Sequence, residues 1–519
     1  MEVFHSLVVI VVVIVTTTWA WRLLNSLWLR PRKLERLLRQ QGFHGRPYRF
    51  LAGDLRENAT LTQQARSRPI PLSDDIIPRV IPFLHQTFQE YGKNSFTWMA
   101  PKPRVNIQNP EHVKEVFTKI NDFQRTANSN PYIKYLVTGL ASYDGEKWAN
   151  HRKIVNPAFH LEKLKLMTPI LNQSCNEMIK TWEELIPKEG SCEIDVWPFL
   201  QNLTCDVIAR AAFGSNYEEG KRIFDLLKEQ TVLVIQALQS GYLPGWRFVP
   251  TKTNNRIKAN YKEIEELLKP VIKKREESIH GRGDNINGDV LGLLVESNYR
   301  EIREQSNKKK AAGMSSKDVI EECKLFYFAG QETTSVLLVW TMILLGHHQI
   351  WQTRAREEIL EVFGDKEPDF DGLNQLKVVT MILNEVLRLY PPVVLIGREV
   401  PKDIKVGDAV LPGGVQVALP TILIHRDPEI WGEDASEFKP ERFMEGVAKA
   451  TKNQVCFFPF GWGPRICIGL NFAMVEAKIA LALILRNYCF QLGPSYTHAP
   501  HAIITLQPQH GAHLLLHRL

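Results

Sequence analysis

The sequence predicts a mainly α-helical body with small β-sheets, tethered by one amino-terminal transmembrane anchor helix. Three observations predict this class. A charge-free apolar run, Val3–Trp21, has the length of about 20 residues that crosses a hydrocarbon core. Apolar residues recur with a 3.6-residue period through most windows from Ile76 to about Arg275, as at Leu164, Met167, Leu171 and Met178. Period-two alternation gathers mostly after Pro391.

The 519 residues are 44% hydrophobic and 23% charged, which excludes a disordered chain, a disulfide-stapled mini-protein and a many-span transporter. Lysine plus arginine is 64 against 57 acids, a net charge of +7. That mild excess suits an anionic membrane surface or an acidic protein partner. No dense basic run is interleaved with aromatics, so nucleic acid is set aside. The seven cysteines are odd in number, widely spaced and free of C-x-x-C pairs, which argues against a disulfide framework or a structural zinc site. The body reads as a reduced, cytosol-facing domain.

Each element follows in order. Residues 1–22 form the anchor, and the basic flank after it (Arg22, Arg30, Arg32, Lys33, Arg36, Arg39) places the body in the cytosol by the positive-inside rule. Residues 23–53 are a basic linker with helical spacing at Leu34, Leu37 and Leu38, ending in a hinge at Gly42, Gly45 and Pro47. Residues 54–519 are the catalytic domain. The charged, glycine-bearing stretch from about Lys273 to Ser316 reads as an exposed connection around one short helix, Val290–Ser297. Ser315 or Ser316 caps a long apolar helix running to about His347, the expected centre of the body. The runs VVLIGREV, DIKVGDAVLPGGVQVALP, AIITLQPQ and HLLLH read as strands.

Four constellations carry chemistry. In FFPFGWGPRICIGLNF, Gly461, Gly463 and Pro464 build a tight loop before Cys467, Arg465 brings a permanent cation, and Gly469 leaves room for something flat. A lone cysteine is more often a small buried hydrophobe. Here its place at a helix start favours thiolate, and a thiolate beside an anion clamp suits iron in a carboxylate-bearing porphyrin. The second is AGQETT within the long helix, where Gly330 costs about 1 kcal/mol of helix propensity. An acid beside two threonines in an otherwise apolar helix needs a reason to be buried there. The third is E-x-x-R at Glu385 and Arg388, followed by FKPERF with Arg442. The fourth is WANHR, which sets Trp148 and Arg152 on one helix face.

The pattern F-x-x-G-x-R-x-C-x-G is matched at Phe460, Gly463, Arg465, Cys467 and Gly469, and the chain resembles the cytochrome P-450 haem-thiolate monooxygenases. The resemblance implies that fold, a haem b whose iron takes Cys467 as axial ligand, and haem contacts from Phe460, Gly463 and Gly469. It implies that Trp148, Arg152, Arg398 and Arg465 bond the haem propionates. Thr333 becomes the hydroxyl that serves oxygen activation and Glu332 the relay acid. Glu385, Arg388 and Arg442 become a structural lock on the region before the cysteine. The reaction implied inserts one atom of O2 into a C–H bond, with electrons from NADPH through a membrane-anchored reductase. No nicotinamide or flavin fingerprint is present in this chain.

In finer detail GFHGRPYRFLAGD, YGKNSFTWM, DVIEECKLFYFAGQETT and APHAIITLQPQHGAH resemble the plant family that includes secologanin synthase and triterpenoid oxidases. The linker departs from the proline-rich stretch of microsomal relatives, having only Pro31 and Pro47. The expected substrate is a hydrophobic terpenoid reached from membrane lipid, first a triterpenoid sapogenin, then a seco-iridoid or gibberellin. The expected place is the endoplasmic reticulum membrane, single-pass. Phe326, Tyr327 and Phe328 are candidates to line the pocket. A haem-thiolate isomerase or dehydratase, or a non-catalytic haem sensor, would use the same cysteine without the Glu332 and Thr333 relay.

Overall fold

The computed structural model describes residues 2–126, 132–187, 190–215, 217–239, 246–281, 289–305 and 313–519. The apolar run forms α1 (Glu2–Leu24), whose side chains from Leu7 to Val15 are all exposed. A helix of that length with no protein against it is a candidate membrane anchor. It passes through a π-helical turn, Asn25–Leu29, into α2 (Arg30–Gln40), where Pro31, Leu34 and Leu38 are buried. The segment read as a hinge packs on the body. Tyr48 donates its hydroxyl to Leu27 O at 2.9 Å, and Trp98 Nε1 donates to Arg46 O at 2.9 Å.

Among the described residues the strands are β1 (Phe96–Met99), β2 (Lys102–Asn106), β3 (Ser191–Asp195), β4 (Ile396–Glu399), β5 (Ile404–Val406), β6 (Ala409–Leu411), β7 (Gln416–Leu419), β8 (Tyr488–Leu492), β9 (Pro500–Ala502), β10 (Leu506–Pro508) and β11 (His513–Arg518). One sheet runs β1-β2-β7-β4 with β2 and β7 parallel, a second runs β3-β11-β8, and β5-β6 and β9-β10 are hairpins. In β11, Leu514 and Leu516 are buried between less buried neighbours, the alternation that made HLLLH legible. Four strands gave no such signal. β1 is buried at three successive positions, β2 follows it directly, β3 is polar and held by its pairing with β11, and β8 begins where a helix ends with no breaker between them.

The helices around the core include α3 (Gly145–Val155), α4 (Leu161–Leu185), α5 (Trp197–Phe213), α6 (Tyr217–Gln239), α7 (Lys252–Gly281), α8 (Val290–Gln305), α9 (Ser316–His347), α10 (Gln349–Phe363), α11 (Lys377–Leu389) and α12 (Leu470–Asn487). The expected exposed connection is shorter than read, because α7 continues to Gly281 and α8 to Gln305. Its remaining glycine and lysine runs, 282–288 and 306–312, lie outside the described residues. The helix α9 has 32 residues, about 48 Å, and starts in a capping box in which Ser315 and Asp318 satisfy each other's backbone N–H. It packs most extensively on α5. Gly330 permits that approach, since a Cβ there would stand 2.8 Å from the Ile208 side chain.

Beneath α9 lies a fully buried charge cluster. Arg388 donates from Nε and Nη2 to the two oxygens of Glu385, each at 2.7 Å, and both side chains have no exposed surface. Its remaining N–H groups reach His425 O at 2.9 Å, Ala435 O at 2.5 Å and Glu437 O at 3.0 Å. Arg442 Nε stands 3.4 Å from Glu385 Oε1, and Lys439 N donates to the same oxygen at 2.9 Å. Helix α11 is thereby tied to the turns at His425 and at 435–437 and to the segment that carries Lys439 and Arg442.

Two expectations follow. Glu385→Ala strands the buried Arg388 and should cost about 3–5 kcal/mol, read as a large fall in the unfolding midpoint; a midpoint within a degree of the parent would remove the lock. Burial also holds His425 and His498 down to about 3, and His348 and His501 down to about 4. These folded values lie below the ordinary 6.5, so the stability from the neutral rings is complete above pH 6.5 and falls as pH drops towards 4. A thermal midpoint that stays flat or rises between pH 6.5 and 4.5 would contradict this.

Candidate active site

The site is a largely apolar cavity between α9, α3 and the loop that carries Cys467. The loop takes its shape from Gly461 and Gly463, with φ of 72° and 71°, values that side-chain-bearing residues rarely adopt. It is closed by Cys467 N–H donating to Phe460 O at 2.9 Å. The lock reaches it through His425, whose carbonyl takes Arg388 and whose Nε2 accepts from Phe458 N–H at 3.0 Å. Cys467, Phe460 and Gly469 line the cavity. A Cβ on Gly469 would meet nothing but Cys467 Sγ, at 3.9 Å, so the space beside it is open cavity. Gly463 is not a lining residue; a Cβ there would approach Phe117 O at 3.2 Å, and its part is to turn the loop.

Burial pushes the Cys467 thiol above its usual range, opposed by the Gly469 N–H and the Arg152 guanidinium. A thiol in such surroundings ionises when a metal cation binds it.

Four guanidinium groups line one part of the cavity: Arg125, Arg152, Arg398 and Arg465. Arg152 donates to Ile466 O at 2.9 Å, and Arg398 donates to Gly397 O at 2.8 Å from the strand β4. Arg465 donates to Tyr143 O at 2.8 Å and to Asp144 at 2.7 Å, with its charge 4.4 Å from the Trp148 ring centre. Burial lowers all four; Arg125 falls to about 10 and Arg398 well below its ordinary value, each lowered further by neighbouring arginine charge. The buried Nε atoms of Arg125 and Arg465 have no hydrogen-bond partner. Asp144 is the carboxylate that reaches this group, one anion against four cations.

This imbalance tests the fit of a haem. A buried excess of cations with unmet donors calls for an anionic ligand, and a porphyrin with two carboxylates and a flat apolar body meets both the arginines and the open face at Gly469. The residues fit the group. Trp148, Arg152, Arg398 and Arg465 all line this cavity, and Arg125 joins them. Nothing in the spacing of DFQRTAN marked that residue; only the fold brings it beside Arg398 and Arg465.

On the opposite wall Thr333 lines the cavity and donates to Ala329 O at 2.9 Å. Glu332 does not line it. Its carboxylate accepts from Thr505 Oγ1 at 2.7 Å and from Gln507 Nε2. Of the three aromatics before the AGQETT turn, Phe326 lines the cavity, Tyr327 stacks on Phe213 at 4.1 Å, and Phe328 packs against a separate cluster with Tyr132 and Leu136. A further pair passed unread in the sequence. His151 Nδ1 lies 2.6 Å from Glu322, which has no exposed surface and also accepts from Leu140 N at 3.0 Å. This fixes α3, and with it Trp148 and Arg152, to α9.

Comparison with known proteins gives a consistent picture. The family model described as Cytochrome P450 matches residues 79–512. The chain is 57% identical to Cytochrome P450 CYP72A219 of Panax ginseng over 96% of each chain. It is 54% identical to 11-oxo-beta-amyrin 30-oxidase of Glycyrrhiza uralensis and to Cytochrome P450 72A15 of Arabidopsis thaliana, again over 96% of each chain.

Replacing Arg398 or Arg125 by leucine removes a charge-assisted bond worth about 1.5–3 kcal/mol, so haem should be held about ten- to hundredfold less tightly. The haem-free protein, relieved of repulsion, should melt no lower than the parent. Unchanged haem retention in both variants, measured as haem absorbance per protein during dilution, would refute the reading of this cluster.

Proposed function

The chain belongs to the cytochrome P450 family as a haem-thiolate monooxygenase of the plant CYP72A type, and we propose that it oxidises a triterpenoid of the sapogenin class at an unactivated C–H bond. The enzyme uses O2, a hydrophobic substrate and a reductase partner. The observation that carries the substrate reading is the composition of the cavity. Away from the arginines its walls are Phe159, Ile208, Leu325, Phe326, Leu337, Val393 and Ile396, with the hydroxyls of Thr333 and Thr334 as the polar exceptions. Such walls exclude water and suit a fused hydrocarbon skeleton. Away from the arginines they offer only those two threonine hydroxyls to the sugar of an iridoid glucoside. The 54% identity to an 11-oxo-beta-amyrin 30-oxidase supports the same class.

Bound haem supplies the activation of dioxygen by two electrons. The rest falls to the chain. Cys467 would hold the iron as a thiolate, its backbone fixed on Phe460 O and its charge steadied by the Gly469 N–H and Arg152. Arg125, Arg152, Arg398 and Arg465, with Trp148, would seat the propionates and fix the ring in the cavity. Thr333 presents a hydroxyl at the cavity wall and donates to Ala329 O, which holds it in one rotamer with its oxygen free to accept; to pass a proton on it would first give up that bond. Glu332, one residue before it, would hold the proton that replaces the one given up. Electrons would come from NADPH through a membrane-anchored reductase drawn to the basic surface, with the anchor in the endoplasmic reticulum membrane and the body on the cytosolic side.

Full-length protein co-expressed with a plant reductase and fed triterpenoids, iridoids and gibberellins should convert a triterpenoid in an NADPH-dependent reaction. Cys467→Ala should abolish the product, and Thr333→Ala should lower product per NADPH by about tenfold or more while keeping the haem spectrum. An iridoid or gibberellin product alone would overturn the substrate class, and NADPH-independent conversion would overturn the monooxygenase.

A further inference from the structure

The β9–β10 hairpin closes on two walls of the cavity and on the acid beside it. Leu506 N–H donates to the carbonyl of Pro392, a lining residue, at 3.0 Å, and Leu506 O accepts from Trp340 Nε1 of α9 at 2.6 Å. Ile504, at the hairpin turn, packs in the cluster that holds Phe328, the residue before the lining Ala329. Between these ties, Thr505, only 2% exposed, donates its hydroxyl to Glu332 Oε1 at 2.7 Å. Gln507 Nε2 donates to the same oxygen and to Thr505 Oγ1 at 3.1 Å. The three side chains form a closed triangle.

Two donors occupy the lone pairs of Oε1, and Oε2 receives neither of them. The triangle therefore fixes the rotamer of the acid and engages one of its two oxygens. We propose that Thr505 and Gln507 are positioning residues for the monooxygenase reaction, holding Glu332 in one rotamer behind the cavity wall for its part in proton delivery. The proposal rests on the reading of Glu332 as the relay acid. A well-held relay delivers protons quickly enough that oxygen leaves as water or enters the substrate. A misaligned one lets it leave earlier as hydrogen peroxide. Without substrate the balances are NADPH + H+ + O2 giving NADP+ + H2O2, against 2 NADPH + 2 H+ + O2 giving 2 NADP+ + 2 H2O.

The test uses the full-length holoenzyme with a plant NADPH-dependent reductase and no added terpenoid. The readouts are hydrogen peroxide released and NADPH oxidised per haem, and the ratio of NADPH consumption in H2O and D2O. A hydrogen bond to a charged group holds its pose by about tenfold or more. Thr505→Val and Gln507→Leu should each raise the peroxide-to-water ratio by about that factor and enlarge the solvent isotope effect, in the same direction as Glu332→Gln. Thr505→Ser should restore both. A shift in Glu332→Gln with neither hairpin variant departing from the parent overturns the positioning role alone. No shift in Glu332→Gln overturns the relay reading and the proposal with it. Lower haem content or melting point with unchanged ratios per haem makes the triangle structural, which also overturns the proposal.

Discussion

A guanidinium with no path to water holds this protein in register. Arg388 is fully buried, and apart from its pair with Glu385 its bonds go to main-chain oxygens outside the helices and strands. Glu385 neutralises it, and its remaining N–H groups satisfy carbonyls at 425, 435 and 437. Those segments would otherwise bury unpaired backbone, a cost of about 1–3 kcal/mol for each group. From His425 the order passes through one further hydrogen bond to Phe458 and so to the loop that presents Cys467. The position of a reactive sulfur thus depends on an ion pair on a different helix. The dependence is physical because that loop is built from glycines and has little conformational preference of its own.

The second organising force is repulsion left unrelieved. The protein gathers four arginines around one cavity and gives them one carboxylate. A chain selected only for its own stability would not do so, since buried like charges oppose folding. The arrangement makes sense when a dianionic group belongs there. It also explains why the cations are anchored to main-chain oxygens such as Ile466 O, Tyr143 O and Gly397 O: those contacts aim the guanidiniums without cancelling their charge.

How much of this was legible depended on how local the signal was. The central helix was readable because its cap, Ser315, and its apolar length lie in one stretch. The cysteine loop was readable because glycine, arginine and cysteine must stand at fixed offsets to make one turn. Arg125 was not, because its neighbours in space are brought by β4 and the cysteine loop. The Glu322–His151 pair was hidden for the same reason, with its partners 171 positions apart. The strand β8 escaped because an apolar run with no glycine or proline can leave a helix and enter a sheet without a visible break. The long helix supplied the subtlest case: the spacing put Glu332 beside Thr333, but adjacent residues on a helix point about 100° apart, and the fold turned the acid to the hairpin rather than to the cavity.

The unbroken passage from α1 into α2 has a mechanical consequence. A helical run of 37 residues, about 55 Å long, ends in side chains buried against the first sheet. It is a mast stepped into the hull rather than a mooring line. Once α1 lies in a bilayer, its tilt is transmitted to the body, and a change in bilayer thickness that tilts the helix must swing the body and its cavity relative to the lipid surface. Lipid composition then becomes a variable in how an apolar substrate reaches the site, acting through leverage and without touching a single residue of the cavity.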